Sequence, residues 1–176
     1  MAKETDSVVF KAKLEKFYPE SGWHYIPVSK KIADRFKLPA NNRRVVCTIN
    51  DRVTFHCALM PNLGNFFVMV NKKIRNELGL EVGDQLKVKL SKDNSKYGMP
   101  ISKEFVEVLR QDKAGSKMFH KLTPGKQRSL IYMVGKIKDI DRRIFAALTI
   151  LKHLQENEGK IDYPKLMDEL KRPIEI

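Results

Sequence analysis

The stretch that decides the fold is FVMVNKKIRNELGLEVGDQLKVKL, residues 67–90. An alternating apolar run is followed by Asn71, a residue type that caps helix N-termini, and then by apolar residues at helical spacing. Gly79 stands where a helix C-terminus favours a left-handed residue, and Gly83-Asp84 forms a turn before a second alternating run. The pattern predicts a strand, a short helix, a turn and a strand.

The same outline occurs earlier in the chain, which indicates an internal repeat. Residues 25–38, YIPVSKKIADRFKL, align with residues 67–80 at an offset of 42, and five of the fourteen positions are identical. Unrelated segments of average composition would share roughly one residue. Residues 8–14 align with residues 53–59 at an offset of 45 and share a valine, a phenylalanine and a leucine. Each half therefore reads strand, strand, helix, strand.

Each ββαβ unit exposes one apolar sheet face that it cannot bury alone. Two units paired about a pseudo-twofold axis can shelter these faces and leave few free strand edges. We therefore expect an α+β protein in which residues 1–93 form a duplicated ββαβ closed six-stranded β-barrel with pseudo-twofold symmetry, of the swapped-hairpin or double-psi type. In its first half, Ser29 is expected to cap a helix whose apolar face is Ile32, Phe36 and Leu38.

The pattern changes to helical spacing after a polar segment. Residues 94–99 are predicted to be a linker, and residues 100–176 an α-helical C-terminal region. Ser102 is expected to begin its first helix and Thr123, followed by a proline, a later one. Apolar residues then recur every three or four positions in one or two amphipathic helices, at Leu130, Val134, Ile137, Ile140, Ile144, Leu148, Leu151 and Leu154.

The chain is strongly basic. Its 176 residues include 34 Lys and Arg against 21 Asp and Glu, which gives a net charge of +13. This excess favours nucleic acid, anionic membrane surfaces or acidic proteins as partners, and solubility explains it equally well. Cys47 and Cys57 lie in apolar runs, so we expect no disulfide framework. Without a signal-peptide pattern or an apolar run of about 20 residues, we expect a cytoplasmic protein with no membrane span.

The order of these motifs resembles a bacterial domain of unknown function. The likeness is carried by VVFKAKLEKF, GWHYIPVSKKIADRF, RRVVCTIND and FHCALMPNLGNFFVMV, followed by the rest of the opening stretch. The short helix, Gly-Asp turn and strand are also similar to the repeating unit of AbrB-like DNA-binding proteins and double-psi barrels. These resemblances imply a barrel and bring with them no agreed chemistry.

Residues 99–144 resemble the helical tail of the bacteriocin-protection, YdeI/OmpD-associated (OmdA-like) proteins. The resemblance implies a role in resistance to antimicrobial peptides. In the last part of this segment, YMVGKIKDIDRRI, the chain lacks the family's Trp-Ile and its Ala-Lys followed by Glu-Thr-Arg, and keeps Arg142, Arg143 and Ile144. The residues that stand where the family has them are Pro100, Leu109, Ala114, Phe119, Leu122, Pro124 and Arg128.

No enzyme signature or cofactor motif is found among the polar residues. Adjacent strand residues point to opposite faces, so His56 is badly placed to serve Cys57 as a base. The segment NLGN has one glycine and lacks the Lys-Ser/Thr of a phosphate-binding loop. We expect no catalytic residues, no metal and no cofactor. The histidines are too widely spaced for a metal pair and are interpreted as structural: His24, His56, His120 and His153.

Both predicted helix starts break an electrostatic rule, because two lysines follow each cap residue. Cations at a helix N-terminus oppose the macrodipole by about 0.3–1 kcal/mol each. A rule broken twice at equivalent positions suggests anion binding, although a solvated surface is the simpler explanation of the same residues. The candidate anion-binding residues are Lys30, Lys31, Lys72, Lys73, Arg43, Arg44, Arg142 and Arg143.

We expect a non-catalytic basic protein that binds nucleic acid or another polyanion, in a stress or peptide-resistance setting. Two alternatives stay open. A pocket between barrel and tail would make the protein a small-ligand binder or an enzyme. An exposed apolar stripe between Leu130 and Leu154 would instead make it a scaffold that docks a protein partner through the tail.

Overall fold

The computed structural model describes residues 7–36 and 43–175. The chain divides between Asn94 and Ser95 into two compact units, called here the β unit and the helical unit. Leu38, which was assigned by sequence to the apolar face of the first helix, lies outside the described residues.

The described part of the β unit contains eight strands and two short helices, and the chain is α+β as expected. The strands are β1 Ser7–Lys13, β2 Glu15–Lys16, β3 His24–Val28, β4 Arg44–Ile49, β5 Val53–Ala58, β6 Met60–Asn62, β7 Asn65–Val70 and β8 Gln85–Lys92. The helices are α1 Lys30–Asp34 and α2 Lys72–Leu78.

The strands form two four-stranded antiparallel sheets. Sheet I has the strand order β1-β8-β4-β5, and sheet II has the order β2-β3-β7-β6. Side chains alternate between the two faces of a strand, and the buried residues of β3, β4, β7 and β8 accordingly lie at alternate positions. These buried residues of both sheets belong to one hydrophobic core.

The predicted closed six-stranded barrel is wrong, because two long strands each bend and serve both sheets. Leu14 separates β1 in sheet I from β2 in sheet II, and Leu59 separates β5 from β6 in the same way. Both leucine side chains are fully buried at these bends. Their backbones bond outside the strand ladders: Leu14 N–H donates to the Asp84 carbonyl at 3.0 Å, and Leu59 N–H donates to the Arg43 carbonyl at 2.8 Å. Apolar alternation continues through such a bend and does not reveal it.

The strand registers relate the two halves of the β unit. Ile26 pairs with Val68, which is its own counterpart at the offset of 42. The third strands of the two halves, β4 and β8, also pair with each other, with Thr48 opposite Lys89. A residue opposite its own counterpart in an antiparallel pair lies on a local twofold axis. The order of each sheet is also unchanged when the halves are exchanged.

The two short helices begin as their cap residues predict. The Ser29 side chain accepts a hydrogen bond from Ile32 N–H at 3.3 Å, and the Asn71 side chain accepts one from Ile74 N–H at 2.9 Å. Gly79 ends α2 in the left-handed conformation, with φ of 63°. Capping side chains satisfy amides that have no partner inside a helix, so these contacts fix where each helix starts.

The helical unit consists of five helices within the described residues, with the fourth of them at its centre. This central helix packs against each of the others. Gly115 lets one neighbour approach closely, since a Cβ there would lie 2.7 Å from Leu151 Cβ. Asp139 caps the central helix by accepting from Arg142 N–H at 2.7 Å, so the long periodic stretch divides there. The helices are α3 Lys103–Gln111, α4 Lys113–Lys121, α5 Pro124–Gly135, α6 Ile140–Glu156 and α7 Tyr163–Leu170.

Over residues 7–36 and 43–175, none of the helices combines the length and the apolar character that a bilayer crossing requires.

Candidate nucleic-acid interface

At the start of α1, much of the predicted anion-binding capacity is used internally. The Lys30 backbone N–H donates to Asn65 Oδ1 at 3.0 Å, and its ammonium lies 2.6 Å from the Asp34 carboxylate one turn along the helix. Lys31 is exposed, and no carboxylate of the described residues forms an ion pair with it. This end of sheet II therefore offers one unpaired lysine.

The start of α2 differs in leaving both of its lysines without an ion pair among the described residues. Lys72 and Lys73 are both exposed, and neither forms an ion pair within the part of the chain that the structure describes. The position equivalent to Asp34 is Asn76, which carries no charge. Arg75 adds a third cation, with Nη1 3.5 Å from His24 Nε2. α2 thus carries three cations and the carboxylate of Glu77, and none of these four groups forms an ion pair among the described residues.

The two lysine pairs do not converge. α1 follows Val28, which pairs with Phe66, whereas α2 follows Val70, which pairs with His24. The helix starts therefore lie at opposite ends of the β3–β7 pair, four residues or about 14 Å apart along the strands. A ligand that touches both pairs must run along sheet II.

Arg43 and Arg44 lie near the first of these ends. The Arg43 guanidinium stacks on the Phe66 ring, 5.3 Å from its centroid. Arg44 begins β4 opposite Ala58, and its carbonyl accepts a hydrogen bond from Asp93 N–H at 3.3 Å. Arg43 contacts Phe66 and the start of α1 contacts Asn65, and these two residues are neighbours at the beginning of β7. The structure thus brings Arg43 close to the start of α1.

Arg142 and Arg143 lie in the helical unit and make several contacts within it. Arg142 donates to the carbonyls of Leu170 and Arg172 at 2.5 and 2.6 Å, where α7 ends. Arg143 lies 3.3 Å from the Glu104 carboxylate and donates to the Lys138 carbonyl at 3.2 Å. These contacts tie α6 to α7 and to α3.

Sheet II carries an aromatic cluster on the face opposite the core, which the sequence interpretation missed. The Phe17 and Tyr25 rings are stacked with centroids 4.2 Å apart, and the Phe67 ring meets Phe17 edge-on at 4.9 Å. The rings are half-buried. Trp23 precedes β3 and is 64% exposed. Tyr25 alternates with the apolar residues Ile26 and Val28, both of which are buried, so alternation was the sequence signal that Tyr25 faces outward.

A carboxylate holds the central ring of this cluster in place. The Tyr25 hydroxyl donates to Glu15 Oε2 at 2.7 Å across the β2–β3 pair. This hydrogen bond, together with burial and the negative charge of Glu15, raises the pKa of Tyr25 above its ordinary value. The ring therefore stays uncharged up to unusually alkaline pH.

The other candidate reactive groups of the β unit are engaged locally. His56 Nδ1 lies 2.7 Å from the buried Asp93 carboxylate. A hydrogen bond with Cys57, and burial, raise the pKa of the Cys47 thiol, so the thiol stays protonated. Among residues 7–36 and 43–175, no three His, Cys, Asp or Glu side chains are grouped to hold a metal ion.

Comparison with known families adds one finding. Residues 10–90 match the model of a domain of unknown function, DUF1905. The resemblance to a domain of unknown function is thereby confirmed for most of the β unit. The match does not extend to the helical unit and does not bear on the AbrB-like or bacteriocin-protection resemblances. No curated protein matches the chain.

Proposed function

We propose that the β unit binds single-stranded nucleic acid along sheet II, without catalysis. Bases stack on the aromatic face formed by Phe17, Tyr25 and Phe67, and the phosphate backbone meets lysines at both ends of the β3–β7 pair. The single observation that carries this proposal is the partly exposed three-ring cluster on a sheet whose ends are basic.

The aromatic cluster supports an unpaired strand rather than a duplex. Bases of a single strand offer free π faces, and each base stacked on an aromatic side chain contributes about 1–3 kcal/mol. Duplex bases are stacked on one another and do not reach such a surface. The pairing of Tyr25 with Glu15 fixes the ring orientation before the ligand arrives. The Tyr25 side chain therefore loses little conformational entropy when a base binds to it.

The charge distribution supports a polyanion. Lys31 at one end and Lys72 with Lys73 at the other are exposed cations. The chain as a whole carries +13. Glu15 is an acidic group on the aromatic side of the sheet, where it accepts the hydrogen bond from the Tyr25 hydroxyl. Binding through lysine and phosphate releases counterions, so affinity falls as salt rises.

The test uses the full chain and a labelled oligothymidylate in low salt. Trp23 is the sole tryptophan and lies beside the cluster, so its fluorescence reports stacking directly. We expect salt-dependent binding, and a Phe67→Leu loss of about 5- to 150-fold, corresponding to 1–3 kcal/mol for one base. The matched control is Tyr132→Leu, an exposed aromatic of α5 with the Lys136 ammonium 5.4 Å from its ring. This control should leave affinity unchanged.

Two results would contradict the proposal. Equal losses for Phe67→Leu and Tyr132→Leu would show that the aromatic face makes no base contact. If heparin or duplex DNA bound as tightly as the oligothymidylate, electrostatic attraction alone would explain the binding.

For the helical unit we infer, from the residues quoted for the resemblance, a relation of residues 100–176 to the bacteriocin-protection proteins. The apolar stripe expected to dock a protein partner does not form an open face: Ile140 and Leu148 are exposed, and its other six residues lie in the core of the unit or pack against it. Growth of bacteria with and without the chain, under challenge by a cationic antimicrobial peptide, tests the inferred relation. Unchanged survival would contradict it.

A further inference from the structure

The helical unit contains a cleft of about 530 Å³ that the proposed nucleic-acid interface does not use. It lies along α6 and α7 and the residues that follow α7. Phe145, Leu148 and Pro173 contribute apolar surface, and the Glu169 carboxyl group also lines it. Its volume suits a small organic molecule.

Hydrogen bonds at both ring nitrogens fix the tautomer of His153 beside this carboxyl group. Its Nε2 accepts a hydrogen bond from the Asp162 backbone N–H at 3.1 Å, so Nε2 carries no proton. The neutral ring must then carry its proton on Nδ1, which donates to Glu169 Oε2 at 2.7 Å. The His153 side chain is completely buried. The pair therefore contains a neutral imidazole and a carboxylate, with one negative charge between them.

Glu169 thus has a largely buried carboxyl group without a Lys or Arg of the described residues beside it. The residue is 7% exposed, and no Lys or Arg among the described residues lies within ion-pair distance of its carboxylate. Its other oxygen, Oε1, has no hydrogen-bond donor in the described chain. Oε1 is also absent from the fully buried, unpaired polar atoms of the described residues, so it is reached from the cleft and is free to accept a charge-assisted hydrogen bond from a cation.

The other charges of the cleft are closer to water. Lys152 pairs with Glu156 at 3.7 Å, and Lys165 donates to Asn157 at 3.3 Å. Arg172 and Glu175 are exposed in the segment after α7. Among these outer groups three are cations and two are anions. Charges in contact with water are screened more strongly than a buried one, so Glu169 dominates the interaction with a ligand in the cleft.

We propose that this cleft binds a small organic molecule with a primary ammonium group and an apolar body. The ammonium donates to Glu169, whose orientation is fixed by His153, and the apolar body packs against Phe145, Leu148 and Pro173. All residues of this site belong to the helical unit, so a test of ligand binding in the cleft does not depend on whether the β unit binds nucleic acid.

The test compares two probes of the same shape, 2-phenylethylamine and 2-phenylethanol, by amide chemical-shift titration of the full chain. We expect the amine to shift the amides of Thr149 and Lys165 and to bind about tenfold or more tightly than the alcohol, because a charge-assisted hydrogen bond is replaced by a neutral one. Glu169→Gln keeps an acceptor for His153 and removes the charge, so it should abolish the preference. Glu156→Gln, at the rim, should keep it.

A second variant covers the case in which Glu169→Gln unfolds the helical unit. Thr149→Trp fills the cleft from α6 and leaves the His153–Glu169 pair in place, so it should abolish binding of both probes while the fold is retained by circular dichroism. Equal affinities for amine and alcohol in the wild-type chain would overturn the proposal. So would amine shifts that persist in Thr149→Trp, or the absence of shifts at the cleft up to about 20 mM, the range expected for weak fragments of this size.

Discussion

The starts of α1 and α2 are the most informative pair of regions in this molecule. They occupy equivalent positions in the two halves, and both begin with a side-chain cap followed by two lysines. The strands that precede them pair about a local twofold at Ile26 and Val68. The backbone framework is therefore the same at both places.

Residues 30–35 and 72–77 each contain three basic residues and one acidic residue, but the charges are placed and paired differently. Asp34 neutralises Lys30 at the first start, whereas the second has Asn76 at the equivalent position and adds Arg75, whose counterpart is Ala33. The duplicated framework requires the caps and the buried apolar residues, and both halves keep them. The surface charges are not needed for folding, and they have diverged. The binding capacity that we propose is therefore expected to lie mainly at the α2 end.

The largest expected effect concerns the framework itself. Leu14 and Leu59 are equivalent and fully buried at the two strand bends. Leu14→Ala and Leu59→Ala should each lower the free energy of unfolding by about 2–5 kcal/mol, through lost burial and a residual cavity. Urea unfolding monitored by Trp23 fluorescence measures both. If one variant lost less than half as much as the other, the two bends would not be equivalent.

The next effect separates the two lysine pairs. Replacing Lys72 and Lys73 together by glutamine should weaken oligothymidylate binding about tenfold, or 1.4 kcal/mol. The same double replacement of Lys30 and Lys31 should have a smaller effect, because Asp34 already neutralises one of these lysines. Asp34→Asn should strengthen binding by freeing Lys30. If both double variants lost the same binding affinity, the two helix starts would contribute equally and the proposed difference between them would be wrong.

A smaller effect tests the caps. Asn71→Ala and Ser29→Ala should each cost about 1 kcal/mol of stability by leaving a helix amide without its acceptor. We expect the larger cost at Asn71, since its bond to Ile74 N–H is 2.9 Å long and the bond from Ile32 N–H to Ser29 is 3.3 Å. Thermal unfolding ranks the two variants, with Asn76→Ala in the body of α2 as a control that removes no cap. A cost at Ser29 above that at Asn71 would reverse the ranking.

Local rules predicted a large part of this fold, because the deciding contacts are close in sequence. Caps bond three residues ahead, and a glycine in the left-handed conformation ends its own helix. Even the pairing of Lys30 with Asp34 follows from a spacing of four residues on a helix.

The missed features depend on contacts that are distant in sequence. The bend at Leu14 is fixed partly by the Asp84 carbonyl, some 70 residues away. The outward aromatic face requires Phe67 to lie next to Phe17, which only the strand order of sheet II provides. His153 and Glu169 meet because α6 packs against α7. Periodicity assigns residues to elements, and it does not say which elements become neighbours.

The smallest expected effect concerns the hairpins that precede the two helices. The first half uses a long loop between β2 and β3, whereas β6 and β7 are joined by the tight turn Leu63-Gly64, with φ of 47° and 80°. Leu63 is 97% exposed in this left-handed conformation, which disfavours a bulky side chain and suits asparagine. Leu63→Asn should therefore raise the free energy of unfolding by about 0.5–1 kcal/mol, whereas Leu63→Ala should change it little because alanine also disfavours this conformation. Both variants should bind oligothymidylate like the wild-type chain. A stability loss in Leu63→Asn would mean that Leu63 makes contacts that its exposure does not show.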